Sequence, residues 1–398
     1  MDWKIPFSGR QHEYTLDEMV VVLKAMMGAN PLTQGGYRDE FEAAFADYLG
    51  VSGGCFAVSN ATCALELAAQ LCQFEEGDEV IIPAHTFTST AYPFIKHGAK
   101  VVWADIDPET HVVTRHTVQR CVTERTRAVV VVHLYGYVAD TGTVSEALYL
   151  KHGFVIEDAA QALGTRFEAG SGQYHYEWHP GAYGHMGVFS LHSHKNITTL
   201  GEGGVLFVND WMDEDLVPML RHNGHKPYPE REDYWVPAMG DVDLPELNGK
   251  PLMPHNFCLG EVECALGTKL LERIDSINAE KRRRALWFID ELSGYEQLSF
   301  HRVDSERHNY HLLVARYEGT TEDRNSLIRS LARDHGVQCV VQYMPLYRYP
   351  FYQKLGLGEA DCPVTDQWYD HMVSFPFQHS LTDGELEYEV ECVKEVLG

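Results

Sequence analysis

The sequence predicts an α/β fold: a large unit built on a mostly parallel seven-stranded sheet with helices on both faces, then a smaller C-terminal α+β unit. Three observations carry this. Short apolar runs alternate with stretches of helical period through the first half of the chain. A long, weakly periodic polar tract then interrupts them. Beyond it helices dominate, with few strand-like runs between them.

Five runs in the first half, 55–59, 79–83, 100–104, 128–134 and 154–156, are short and apolar enough for buried strands. Between them, Ala64, Leu65, Ala68, Ala69 and Cys72 share one helical face, as do Val144, Ala147, Leu148 and His152. Two more runs, 188–191 and 204–208, follow a polar, aromatic and glycine-rich insert at 168–186 and bring the sheet to seven strands. Residues 221–253, rich in Pro, Gly, Asp and Tyr, read as a long surface loop. From 261 to 295 one helical pattern runs through Leu270, Leu271, Ile274, Ile277, Leu286, Ile289 and Leu292. An alternating run at 310–317, a helix at 324–335, a strand near 337–343 and a last helix from Asp383 make the second unit. The expected division is 1–261 and 262–398.

A chain of 398 residues with 44% hydrophobic and 23% charged residues has ample material for a core, which excludes a disordered or fibrous protein. Acidic residues outnumber basic ones 58 to 32, for a net charge of −26. Such a field repels nucleic-acid phosphates and anionic lipid, so neither is an expected partner; a local cationic pocket is still allowed. No leader-like segment opens the sequence and no apolar run reaches membrane-spanning length, so the expected location is the cytoplasm. Nine cysteines without CxxC spacing suit a reducing compartment. Protonating all 21 histidines would raise the charge from −26 to −5, which predicts falling solubility toward pH 5.5. Five of them, His175, His179, His185, His192 and His194, lie close together. Their spacing fits no zinc pattern and no cysteine accompanies them, so they are read as lining a cleft, with no metal.

Three stretches carry candidate chemistry. Lys195 follows a strand-like run and precedes Gly201-Glu202-Gly203-Gly204. It reads either as a solvated surface lysine or as a desolvated amine able to attack a carbonyl, with the glycines letting backbone approach a ligand. Asp158 ends a strand, where ligand crevices of open α/β sheets lie; it reads either as a helix N-cap or as the carboxylate that keeps a pyridine nitrogen protonated. The stretch Ser59-Asn60-Ala61-Thr62-Cys63 joins a strand to a helix, whose first N–H groups suit a phosphate.

In this order the three stretches resemble the DegT/DnrJ/StrS family of pyridoxal-phosphate-dependent sugar aminotransferases. The likeness runs from about residue 30 to 210 and from 255 to the end, and includes His133-Leu134-Tyr135-Gly136, Glu157-Asp158-Ala159-Ala160-Gln161 and Ser374-Phe375-Pro376. It implies the aspartate aminotransferase fold, type I of the pyridoxal-phosphate enzymes. By it, Lys195 holds pyridoxal 5′-phosphate as a Schiff base and shuttles the proton, Asp158 pairs with the pyridine nitrogen and Gln161 contacts the ring hydroxyl. Phe87 stacks on the ring. Backbone N–H groups of Thr62 and Cys63 and the Ser190 hydroxyl hold the phosphate, and Asn256 reaches the neighbour's site in a homodimer. The reaction implied moves an amino group, from glutamate, to a keto or aldehyde sugar, either a nucleotide-linked keto-deoxy sugar or a free keto-octulosonate, for lipopolysaccharide or another surface glycan. The alternatives are a dehydratase on the same cofactor, which carries histidine in place of the lysine, and an inactive regulatory relative, in which the cofactor residues are eroded. The chain departs from the family pattern at the insert 173–180, in a long 226–253 segment, at Gln342-Tyr343 where a His-Tyr pair is common, and at Leu191 where phenylalanine is frequent. All four lie where the family recognises its sugar.

Overall fold

Burial on both faces shapes the central sheet. In the structure, a computed structural model, residues 3–8, 12–148, 153–171, 174–209, 216–226 and 241–398 are described. In chain order the strands are β1 (Gly54–Val58), β2 (Glu79–Pro83), β3 (Lys100–Ala104), β4 (Thr126–Val132), β5 (Phe154–Asp158), β6 (Phe167–Ser171), β7 (Tyr174–Trp178), β8 (Met186–Ser190), β9 (Gly204–Val208), β10 (His225–Lys226), β11 (Asp241–Val242), β12 (Leu298–Phe300), β13 (Leu313–Tyr317) and β14 (Met372–Phe375). Seven form the large sheet in the order β1-β9-β8-β5-β4-β2-β3. Six of them are parallel, and β9 runs against both its neighbours.

Period-two alternation sorts the side chains between the faces. Phe56, Val58, Val188, Leu206 and Val208 join one apolar cluster with the helix Ala61–Leu71. Cys55, Ala57, Phe189, Val205 and Phe207 join another with Phe41, Phe45, Leu270, Ile274 and Ile277. The helix Ala61–Leu71 is buried at every position from Ala64 to Leu71, as its sandwiched place requires. A third cluster lies under the three-stranded sheet β12-β13-β14 and gathers Ala285, Phe288, Leu313, Leu331, Phe375 and Val390. Ile5 belongs to this cluster too: Gln338 N–H donates to the Ile5 carbonyl at 2.9 Å, and Ile5 N–H to the Gly336 carbonyl at 3.1 Å.

Three expectations need correction, and one stretch left open by the sequence gains a structure. The pattern at 261–295 is two helices, Glu261–Leu271 and Ile274–Glu291, interrupted at Glu272 and Arg273, where Arg273 turns to pair with Glu18. The segment at 337–343 is extended but forms no strand, because its pairing is split: Val337 bridges Ile5 while Val340 exchanges hydrogen bonds with Ser374. The insert at 168–186 is structured, with β6 and β7 forming a hairpin. Within 221–253, β10 and β11 pair as a short ribbon; residues 227–240 lie outside the described residues. Among the described residues no helix is long and apolar enough to cross a membrane.

Candidate active site

The carboxyl ends of β1, β5 and β8 face one cavity of about 690 Å³, within the usual range of about 300–1,000 Å³ for small-molecule sites. Its wall includes Thr62, Phe87, Asp158, Gln161, Ser190 and Lys195, so six of the eight residues singled out in the sequence meet here. Each is there for a local reason. Asp158 is the last residue of β5 and Ser190 the last of β8, and these strands pair in parallel with Asp158 opposite Val188. Lys195 follows β8 in a tight loop, with its N–H on the His192 carbonyl at 2.8 Å and its own carbonyl near His12 Nε2 at 3.2 Å.

Burial lowers the Lys195 ammonium from 10.5 to about 8, against the pull of Asp158, which favours the charged form. The solvated-surface reading of Lys195 is therefore set aside. Asp158 Oδ2 accepts from Thr90 Oγ1 at 2.8 Å and Oδ1 from Ala160 N–H at 3.2 Å. No helix begins after it, so the N-cap reading gives way to a carboxylate held at the cavity wall. The Gln161 carboxamide is fixed at both ends: Oε1 accepts from Tyr135 N–H at 2.7 Å, and Nε2 donates to the Tyr343 hydroxyl at 3.2 Å. Phe87 is about half exposed, with its ring 5.8 Å from and edge-on to that of Tyr343.

Two of the singled-out residues are not in the wall. The Cys63 N–H is taken by the Asn60 side chain, which caps the helix Ala61–Leu71 at 3.0 Å. A phosphate is left the N–H groups of Ala61 and Thr62, the positive end of the helix dipole and the Ser190 hydroxyl. Asn256 bridges His222 on the chain's own backbone and does not line this cavity. The glycines near Lys195 also serve a different purpose from the one expected. A Cβ on Gly204 would come within 2.5 Å of the Asn60 backbone, so β9 needs glycine to approach the helix start rather than a ligand.

Pyridoxal 5′-phosphate fits this donor set. An amine of lowered pKa, a buried carboxylate, a carboxamide, an aromatic face and a helix start with a hydroxyl are the groups its aldehyde, pyridine nitrogen, ring hydroxyl, ring and phosphate call for. Sequence reasoning missed Thr90, Tyr135, Tyr343 and His311 as site residues, and Phe7 and Ser8, which also line the cavity. Tyr135 and Tyr343 stand inside motifs quoted above; Phe7 and Ser8 carry no local signal. The histidine arithmetic fails on burial, which lowers His85 and His111 to about 3, His12 and His379 to about 4, and His308 and His311 well below 6.5. These imidazoles stay neutral at pH 5.5, so the charge does not climb to −5.

The pattern of the DegT/DnrJ/EryC1/StrS aminotransferase family matches residues 15–394. The pleiotropic regulatory protein of Geobacillus stearothermophilus is 28% identical over 390 residues, covering 97% of this chain and 96% of that protein. GDP-perosamine synthase of Caulobacter vibrioides is 28% identical over 393 residues, covering 98% and 96%. The putative sugar aminotransferase Spr1654 of Streptococcus pneumoniae, solved in its PMP form, shares the fold, with a TM-score of 0.86 and 24% identity over 99% of both chains.

Proposed function

From the premise that this chain belongs to the DegT/DnrJ/EryC1/StrS aminotransferase family, and is thus a pyridoxal-phosphate-dependent sugar aminotransferase, we propose that it moves the amino group of glutamate to a keto or aldehyde sugar. The acceptor in this reading is a nucleotide-linked keto-deoxy sugar or a free keto-octulosonate, and the product is destined for lipopolysaccharide or another surface polysaccharide. The carrying observation is the convergence of Lys195, Asp158, Gln161 and Ser190 on one cavity beside a helix start. Pyridoxal phosphate, when bound, supplies an electron sink that stabilises negative charge at the carbon losing its proton.

The chain's own residues do the rest. Lys195, part neutral near pH 8, would hold the cofactor through its amine at the aldehyde and, when free of it, would carry a proton to and from the reacting carbon. Asp158, held by Thr90 and Ala160, would face the pyridine nitrogen with its carboxylate and keep that nitrogen protonated. Gln161, clamped by Tyr135 and Tyr343, has no freedom to rotate away from the ring hydroxyl. Phe87 covers one ring face and keeps water from it.

The name of the Geobacillus relative raises the regulatory alternative; the presence of Lys195, Asp158, Gln161 and Ser190 on one cavity favours the enzyme. A homodimer with shared sites is part of the proposal. It rests on Asn256 lying outside its own chain's cavity and on the exposed stripe Leu16, Met19, Leu23, Met26 and Met27 on one face of the helix Leu16–Gly28. Nine free cysteines fit the reducing cytoplasm. The division near residue 262 belongs to the same proposal, with the cluster around Leu270, Ile274 and Ile277 tying the first turns beyond it to the large sheet.

The test begins with purified protein and pyridoxal phosphate, which should give a visible absorption that glutamate discharges. Lys195→Ala should lose both while keeping its fold. Mixing Lys195→Ala with Asn256→Ala should restore turnover, since one site of a mixed dimer has both residues. Glutamate that leaves the absorption unchanged would refute the donor, and no complementation despite proven subunit exchange would refute the shared site.

A further inference from the structure

Behind Lys195 the structure closes a ring of buried amides that the reaction described so far does not use. Asn196 Nδ2 donates to Asn278 Oδ1 at 2.7 Å, and Asn278 Nδ2 donates to the Leu163 carbonyl at 2.9 Å. Asn309 Nδ2 is shared between the carbonyls of Gln161 at 3.1 Å and Leu163 at 3.3 Å. Asn309 Oδ1 accepts from His311 N–H at 2.9 Å, and His311 Nδ1 comes back to Asn196 Oδ1 at 3.5 Å. Lys281 Nζ donates to the His311 carbonyl at 3.3 Å from the side. The three asparagines are each 5% exposed or less. They come from three places: the loop after β8, the helix Ile274–Glu291, and the segment before β13.

The backbone is cut to fit them. A Cβ on Gly136 would lie 1.8 Å from Asn309 Oδ1, and one on Gly164 would lie 2.4 Å from Asn278 Nδ2, so each amide occupies space that only glycine leaves open. The two carbonyls they hold belong to Gln161 and Leu163, the turn whose side chain faces the cavity. Asn196 is the residue bonded to Lys195. A space of about 10 Å³ is lined jointly by Gln161, Ser190 and Lys195 and by Asn196, Asn309 and His311 of this ring.

We propose that Asn278 and Asn309 are positioning residues for transamination, fixing the loop that carries Lys195 against the turn that carries Gln161. The proposal rests on the aminotransferase reading above. Neither asparagine lines the main cavity; both act through Asn196, His311 and two carbonyls. Buried amide networks of this kind are rigid only when complete, so losing one member loosens every segment it joins.

The experiment uses the full chain loaded with pyridoxal phosphate and takes glutamate as donor. Asn278→Ala and Asn309→Ala are compared with wild type, together with Asn309→Ser. That hydroxyl still accepts from His311 N–H two residues on but does not span to the two carbonyls, and it keeps the question open should the alanine variants fail to fold. Three quantities are read: the pH midpoint of the visible absorption without donor, the rate and KM of its discharge by glutamate, and the Tm. The expected result is a midpoint displaced by half a pH unit or more and discharge slowed at least tenfold, with glutamate KM within twofold. A lowered Tm with midpoint and discharge rate unchanged would overturn the proposal, leaving the asparagines a purely structural part. Because the midpoint is read before donor is added, failure of glutamate to discharge wild type counts against the donor reading and not against the network.

Discussion

The lowered pKa of Lys195 gives the sharpest quantitative expectation. An ordinary lysine at 10.5 holds about 0.3% of its amine free at pH 8, whereas a lysine at about 8 holds half, roughly a 150-fold gain in nucleophile. The perturbation is pH itself, applied to cofactor-free protein mixed with pyridoxal phosphate, with covalent capture followed by stopped-flow absorbance. Dividing each rate by that of Nα-acetyl-lysine at the same pH removes the ionisations of the cofactor. The rate ratio should be largest below about pH 8 and fall steadily, levelling off only well above 10.5. Asp158→Asn removes the anion that favours the ammonium, so the protein's own midpoint should drop below about 8. A midpoint near 10.5, or one that rises in Asp158→Asn, would refute the claim that burial activates Lys195.

Asp158→Asn should also slow turnover by about 100- to 1,000-fold, the usual cost of one well-placed electrostatic partner, since an amide does not hold a proton on the ring; near-normal steady-state turnover would mean the wrong carboxylate. Asn60→Ala removes the cap on the helix Ala61–Leu71 and should cost about 1 kcal/mol in urea unfolding, with weaker cofactor retention on dialysis. Lys281 is buried, with its Nζ donating to the carbonyls of His311 and Phe377 and lying 5.3 Å from the Phe377 ring centre, and burial lowers its pKa from 10.5 to about 7. Its charged form therefore opposes folding: the penalty is absent above pH 10.5, grows as pH falls and is complete below about 7. Lys281→Met should accordingly gain on wild type by on the order of a few kcal/mol between pH 10.5 and 7, and a Tm difference independent of pH would contradict this.

Local pattern made most of the large sheet legible. A parallel strand buried on both faces announces itself as a short apolar run, and 79–83, 100–104 and 204–208 appear in the structure with those bounds. The same reasoning misjudged 337–343, where the residues favour a strand but the partners are divided between Ile5 and Ser374, a fact of tertiary placement. The break at Glu272 and Arg273 lacks the glycine or proline that would have announced it. In the site, residues at strand ends or within motifs were found. Cys63 was misjudged because its N–H is spoken for by Asn60, three residues away. Phe7, Ser8 and His311 were missed because they reach the cavity from segments with no chemical signature of their own.

The seating of Ile5 has a temporal consequence. Ile5 is made about 280 or more residues before Phe288, Phe375 and Val390, which belong to the cluster that shelters it. Pairing β1 with β9 likewise waits about 150 residues. Loop closures this long are slow, and Ile5 stays unsheltered until those residues of its cluster have emerged. During that interval its side chain is available to chaperones or to a second nascent chain. Its docking against 336–338 then brings Phe7 and Ser8 to the cavity, so the wall of the site is finished only when segments more than 300 residues apart have met.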